Sequence, residues 1–151
     1  MGKLNGLIVL ALFGAGMSAD AKIPANRWVD SADAARVTDA CLALAAKSGW
    51  KVHIAVLNGH GDLIRFVGMD GATRTSGVLA VEKARTVFRT NRSTREVAKM
   101  DPNAQLLFNA VTLVGGVPVL VDGRLVGAVG VSGAKPDDDE ACANAGIAAA
   151  M

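Results

Sequence analysis

The 151 residues are 51% apolar and carry sixteen basic against fourteen acidic side chains, a net charge of +2. A chain of this length can bury a real core as one domain, which excludes disordered and low-complexity readings. The near-neutral balance also excludes a dedicated nucleic-acid binder and a surface-charged membrane protein.

Lys3 supplies a thin positive n-region, Leu7 to Phe13 an apolar h-region, and Ala19 to Ala21 a small-residue cleavage site. Residues 1–21 therefore read as a signal peptide cleaved after Ala21, leaving 22–151 as a single domain in the periplasm or outside the cell. The apolar run is far shorter than the roughly 20 residues that cross a bilayer, so no transmembrane segment is expected. In an oxidising compartment Cys41 and Cys142 permit one disulfide. Lying among alanines on two predicted helix faces, they are read first as two small buried hydrophobes. With no CxxC and no paired histidines, no structural metal is expected.

The first helix starts where Asp30 or Ser31 can cap it and Asp33 favours the first turn. Ala34, Val37, Cys41, Leu44 and Ser48 recur at helical spacing until Gly49 stops them. Val52 to Leu57 is a strand with Val52, Ile54 and Val56 on one face and His53, Ala55 and Leu57 on the other. The glycine-flanked turn Asn58 to Asp62 returns the chain into Leu63 to Val67, with His60 at the tip. Thr75 or Ser76 opens a second helix through Val78, Val81, Ala84 and Phe88, and the basic run Lys83, Arg85, Arg89, Arg92, Arg95 and Lys99 continues until Asp101, Pro102 and Asn103 break the helix. No aromatic residues interleave with these cations, so they read as solvated surface and not as a nucleic-acid site.

After a short apolar segment, Leu106 to Phe108, come two β-branched runs around Asp122-Gly123, a strong hairpin signal that makes Val117 to Val121 and Arg124 to Val131 the expected central strands. Glycines at 127, 130 and 133 leave room for a backbone or a ligand. The last helix, Pro136 to Ala150, begins with Asp137, Asp138, Asp139 and Glu140 at its positive end. Those carboxylates oppose a bound phosphate, and neither GxxxxGK[ST] nor GxGxxG is present, so no nucleotide is expected. The order of elements predicts an α+β domain, a central antiparallel sheet of about five strands covered by helices.

Met69 to Ala72, Lys83-Ala84, Gly115 to Pro118, Val126 to Gly133 and Asp139 to Gly146 stand in the order and approximate spacing of the GlcG/HbpS-like family, which the chain resembles over about residues 31–150. The resemblance implies a profilin-like or roadblock-like layered fold. Similar proteins include secreted haem-binding and haem-degrading proteins that assemble into oligomers, and the C-terminal domain of PduO-type proteins. This chain departs from the pattern at Gly68, where the family usually has Arg, at Asn58, where it usually has Asp, and in the shorter, more apolar segment Met100 to Phe108.

These residues select the candidates. A buried Lys83 would act as a base or carboxylate anchor, whereas an exposed or carboxylate-paired Lys83 would be structural. Asp139 and Glu140 would supply acid/base carboxylates, or would simply cap the helix. Asp70 would close the same pocket or only serve its turn. Met69 can touch a porphyrin or fill the core. Gly115, Gly116, Pro118, Gly130, Ser132 and Gly133 would form the pocket's backbone walls. His60 and His53, the only imidazoles, are the candidate haem-iron ligands. The resemblance thus implies an exported homo-oligomer that binds haem or a similar tetrapyrrole, and degrades or senses it. The rival is an isomerase, lyase or tautomerase of a carboxylated substrate that moves a proton with Lys83 and Asp139 or Glu140. A third reading is a structural or sensory subunit without catalysis.

Overall fold

The computed structural model describes residues 22–151, and the expected signal peptide lies outside them. Helix α1 runs Ser31–Ser48 and strands β1 and β2 are His53–Asn58 and Leu63–Gly68. Helices α2, α3 and α4 span Arg74–Thr90, Thr94–Val97 and Pro102–Leu107. Strands β3, Gly116–Val121, and β4, Arg124–Ser132, precede helix α5, Pro136–Ala150. Among the described residues no helix is long and apolar enough to cross a membrane.

The α+β class holds, but the sheet has four strands, not about five, in the antiparallel order β2-β1-β4-β3. β4 is central as expected, whereas β3 is an edge. The sequence carried that signal in Pro118, which cannot donate to a ladder and so belongs at a sheet edge. Asp122 and Gly123 both take positive φ, 50° and 76°, as the tight hairpin turn requires.

The alternation of β1 sorts the core into two layers. Val52, Ile54 and Val56 join Val129 and Val131 beneath α1 and α5, while Ala55, Leu57 and Ala128 meet α2 on the other face. On that second face the layers nearly touch, because a Cβ on Gly130 would stand 2.0 Å from the Ala80 carbonyl oxygen. Gly130 therefore admits the backbone of α2. On the first face Gly146 lets α5 cross the Val37 carbonyl of α1. At this crossing Cys41 and Cys142 are fully buried, as expected, and joined in a disulfide with Cα atoms 4.7 Å apart. The reading as two separate hydrophobes is thus corrected: close helix approach through Ala and Gly brings the two sulfurs together.

Asp30 caps α1 in a reciprocal capping box with Asp33, and Gly49 ends it in the left-handed region at φ 73°. Of the expected stripe, Ser48 is exposed. Helix α2 stops at Thr90, well short of the break expected at Asp101, with Asn91 at φ 53°. Ser93 then caps α3 in a capping box with Glu96. That Ser-x-x-Glu signal was hidden in the basic run.

Candidate functional site

Lys83 follows Ala80 by one helical turn, so its side chain points with Ala80, Ala84 and Val87 at the sheet. It is only 2% exposed. Its Nζ donates to the Val131 carbonyl of β4 at 2.7 Å and to Asp139 Oδ2 at 2.9 Å. Asp139 comes from the first turn of α5, and its other oxygen accepts the Ala134 backbone N–H at 2.9 Å. Burial lowers the Lys83 amine from its ordinary value and raises the Asp139 carboxyl, while the hydrogen bond between them opposes both shifts. Burial and the mutual hydrogen bond therefore pull each group in opposite directions, and the short contact between amine and carboxylate is the geometry a proton-passing pair requires.

A cavity of about 250 Å³ opens beside the pair. The start of α2 contributes Thr73, Thr75 and Ser76, and the β4–α5 turn contributes Ser132 and Gly133. Leu79, Leu113 and Val114 add an apolar side. Gly115, at φ 124°, lies directly behind: a Cβ there would stand 2.8 Å from Lys83 Nζ.

Lys83, Asp139, Ser132, Gly133 and Gly115 are therefore gathered in one place. Gly116 instead packs beneath the Lys83 carbonyl and donates its N–H to Thr94 Oγ1. Gly130 is covered by α2. Pro118 pairs with Ala128 on the edge strand, away from the cavity lining. Met69 packs against the α1/α5 core, and Asp70 is exposed in the turn closed by the Ala72 N–H to the Met69 carbonyl. Glu140 does not join Asp139: Arg95 holds it at 2.7 Å and also pairs with Asp137. Two of the basic run are likewise partnered, Arg85 and Arg89 both by Glu82.

The imidazoles separate. His60 is exposed at the hairpin tip, its ring edge-on to Trp28 with centroids 5.1 Å apart. That tip is the end of β1 remote from the Lys83 cavity. His53 begins β1 opposite Ser132, with Nδ1 2.7 Å from Ser76 Oγ and its ring stacked on Phe66 at 5.5 Å. Among the described residues no cluster of three or more His, Cys, Asp or Glu could hold a metal ion.

Sequence reasoning missed a second feature. Val78, expected in the core stripe, is 68% exposed, and Leu63 and Phe66 of β2 are nearly half exposed. They form a largely apolar groove of about 400 Å³ between β2 and α2, lined also by Gly77, Val81 and the paired Glu82 and Arg85. Val78 also bounds an adjoining hollow of about 600 Å³ with Arg74, Thr75 and Leu79. The signal was available: β2 is apolar on both faces, with Ile64 in the core, yet only one face has a helix pair to cover it.

A model of the HbpS-like family, described as haem-degrading proteins, matches residues 29–148. Protein GlcG of Escherichia coli K12 is 39% identical over 92 residues, 58% of this chain and 69% of that protein. The crystal structure of HbpS is 32% identical with a TM-score of 0.76, covering 83% of this chain and 92% of the other. The crystal structure of a PduOC:heme complex is 27% identical with a TM-score of 0.74, covering 81% and 94%.

Proposed function

The chain belongs to the GlcG/HbpS-like family, and we propose that it binds haem or a similar tetrapyrrole on the apolar face between β2 and α2. The observation that carries this reading is the groove of Leu63, Phe66, Val78 and Val81, open to solvent and continuous through Val78 with the hollow beside Arg74. Contiguous exposed apolar surface along a groove is one mark of a ligand-binding site. The residues fit the group. The groove takes an apolar plane, Arg74 makes no ion pair among the described residues and is available to a carboxylate, and Gly68 and Gly77 leave an imidazole room at the groove wall. Hemin added to the purified protein should give a saturable Soret shift at stoichiometric concentration, weakened at least about tenfold by Val78→Asp, equivalent to roughly 1.4 kcal/mol.

The finer parts of the reading have separate support. The leader-like residues 1–21 and the Cys41–Cys142 disulfide favour a periplasmic or secreted protein, since such bonds persist in oxidising compartments. Leu106 and Leu107 on α4 are 80% and 81% exposed and the sheet has two open edges, which favours a homo-oligomer. Native mass measurement should return a multiple of the chain mass. Degradation and sensing are distinguished by whether the Soret band bleaches under reductant and air or persists.

A second reading concerns the other cavity. At about 250 Å³ it falls below the ~300 Å³ lower end for drug-sized ligands and is too small to enclose a tetrapyrrole. The buried Lys83–Asp139 pair there favours proton transfer on a small carboxylated substrate, as in an isomerase, lyase or tautomerase, with Lys83 as base or anchor and Asp139 as its partner. Glu140 would take no part. Lys83→Met, at a temperature where its circular dichroism shows the fold retained, should abolish such turnover and leave hemin binding intact, and loss of both together in the folded variant would tie the two sites into one.

A further inference from the structure

We propose that His53 ligates the haem iron through Nε2, in a tautomer that Ser76 selects; this rests on the haem-binding reading above. Ser76 Oγ carries a single proton and lies 2.6 Å from the Thr73 carbonyl oxygen, which can only accept. The hydroxyl therefore donates to Thr73, and its lone pairs face His53 Nδ1 at 2.7 Å. Nδ1 must then be the donor. A neutral imidazole protonated at Nδ1 presents a bare lone pair at Nε2. Nε2 itself has no hydrogen-bond partner among the described residues.

The ring is also fixed in place. Phe66 stacks on it with an interplanar angle of 20°. A Cβ on Gly68 would stand 2.5 Å from Cδ2 and 2.6 Å from Nε2, so the imidazole occupies the space a side chain at 68 would fill. A Cβ on Gly77 would come within 3.5 Å of Nε2. Phe66 and Gly77 are both walls of the apolar groove, so the ring packs directly behind two residues that line it. An imidazole whose second nitrogen donates to an oxygen acceptor is the arrangement that orients metal-binding histidines. His60 has none of this: it is exposed, its ring meets Trp28 edge-on, and among the described residues its ring has no hydrogen-bond acceptor.

Hemin titrations of the wild-type chain, His53→Ala, Gly68→Ala and His60→Ala test the assignment, read by Soret position, ferric spin state by electron paramagnetic resonance, and Kd. His53→Ala should lose the nitrogen-ligated signature and bind at least about tenfold more weakly, and millimolar imidazole should restore the signature. Gly68→Ala, which displaces the ring without removing it, should shift the same signature, and His60→Ala should leave it unchanged. Circular dichroism and thermal melts of each variant establish that the fold is retained. A wild-type spectrum in His53→Ala overturns the assignment while leaving haem binding standing. A wild-type chain with no saturable shift overturns both.

Discussion

Lys83 and Asp139 are costly residues to bury, since each loses its hydration and recovers only part of it from the other and from the backbone of Val131 and Ala134. Removing one partner strands a buried charge, so Lys83→Met or Asp139→Leu alone should lose about 3–5 kcal/mol in urea unfolding, whereas the double substitution should recover most of that loss. A double variant as unstable as either single would show that the pair is needed for stability. Asp33 behaves oppositely. Burial alone would raise its carboxyl, but hydrogen bonds from Arg27 and the Asp30 N–H, with the charges of Arg27 and Arg36, hold it below the ordinary 3.8. The unfolded chain then binds more protons in that interval, so the stability contributed by Asp33 is complete above pH 3.8 and is lost as pH falls through the lowered value. Acid unfolding of Asp33→Asn should lack this component. The sequence singled out Lys83 and Asp139 separately, from an amine among apolar helix positions and a carboxylate at a helix start. It could not pair them, because their contact spans 56 residues and depends on how closely α2 lies against β4. Gly68 illustrates the reverse: from sequence it is a lost cation, and in the fold it is the space under His53.

At the scale of elements, the two hairpins and the outer helices were legible because their signals are local: capping residues at Asp30, alternation in β1, Asp122-Gly123 and Pro136. Strand order was not, since pairing β1 with β4 depends on contacts some 70 residues apart, for which the sequence carries only the indirect mark of Pro118 at an edge. The disulfide ties α1 to α5 across 101 residues and so restricts the unfolded chain strongly. Reduction, or Cys41→Ala with Cys142→Ala, should cost about 2–5 kcal/mol and lower Tm, read in matched oxidised and reduced melts. An unchanged Tm under reduction would mean that helix packing alone carries that crossing.

At the scale of the whole molecule, a pair of hollows of opposite character lies among the described residues on either side of Leu79 and Thr75, which line both the Lys83 cavity and the hollow beside Arg74. One is small, rich in hydroxyls and backed by a buried ion pair. The other is broad, apolar and continuous with a groove that ends near an oriented imidazole. Helix α2 serves both, its inward face carrying Lys83 and its outward face Val78 and Val81. The apolar face was missed because Val78 falls at helical spacing with core residues, and its mark in the sequence was the indirect one of apolar residues on both faces of β2. Hemin titration of the purified chain, alongside Val78→Asp, tests the central claim most directly. The expected result is a saturable Soret shift at one haem per chain that Val78→Asp weakens at least about tenfold. No shift, or the same affinity in Val78→Asp, would contradict haem binding on this face.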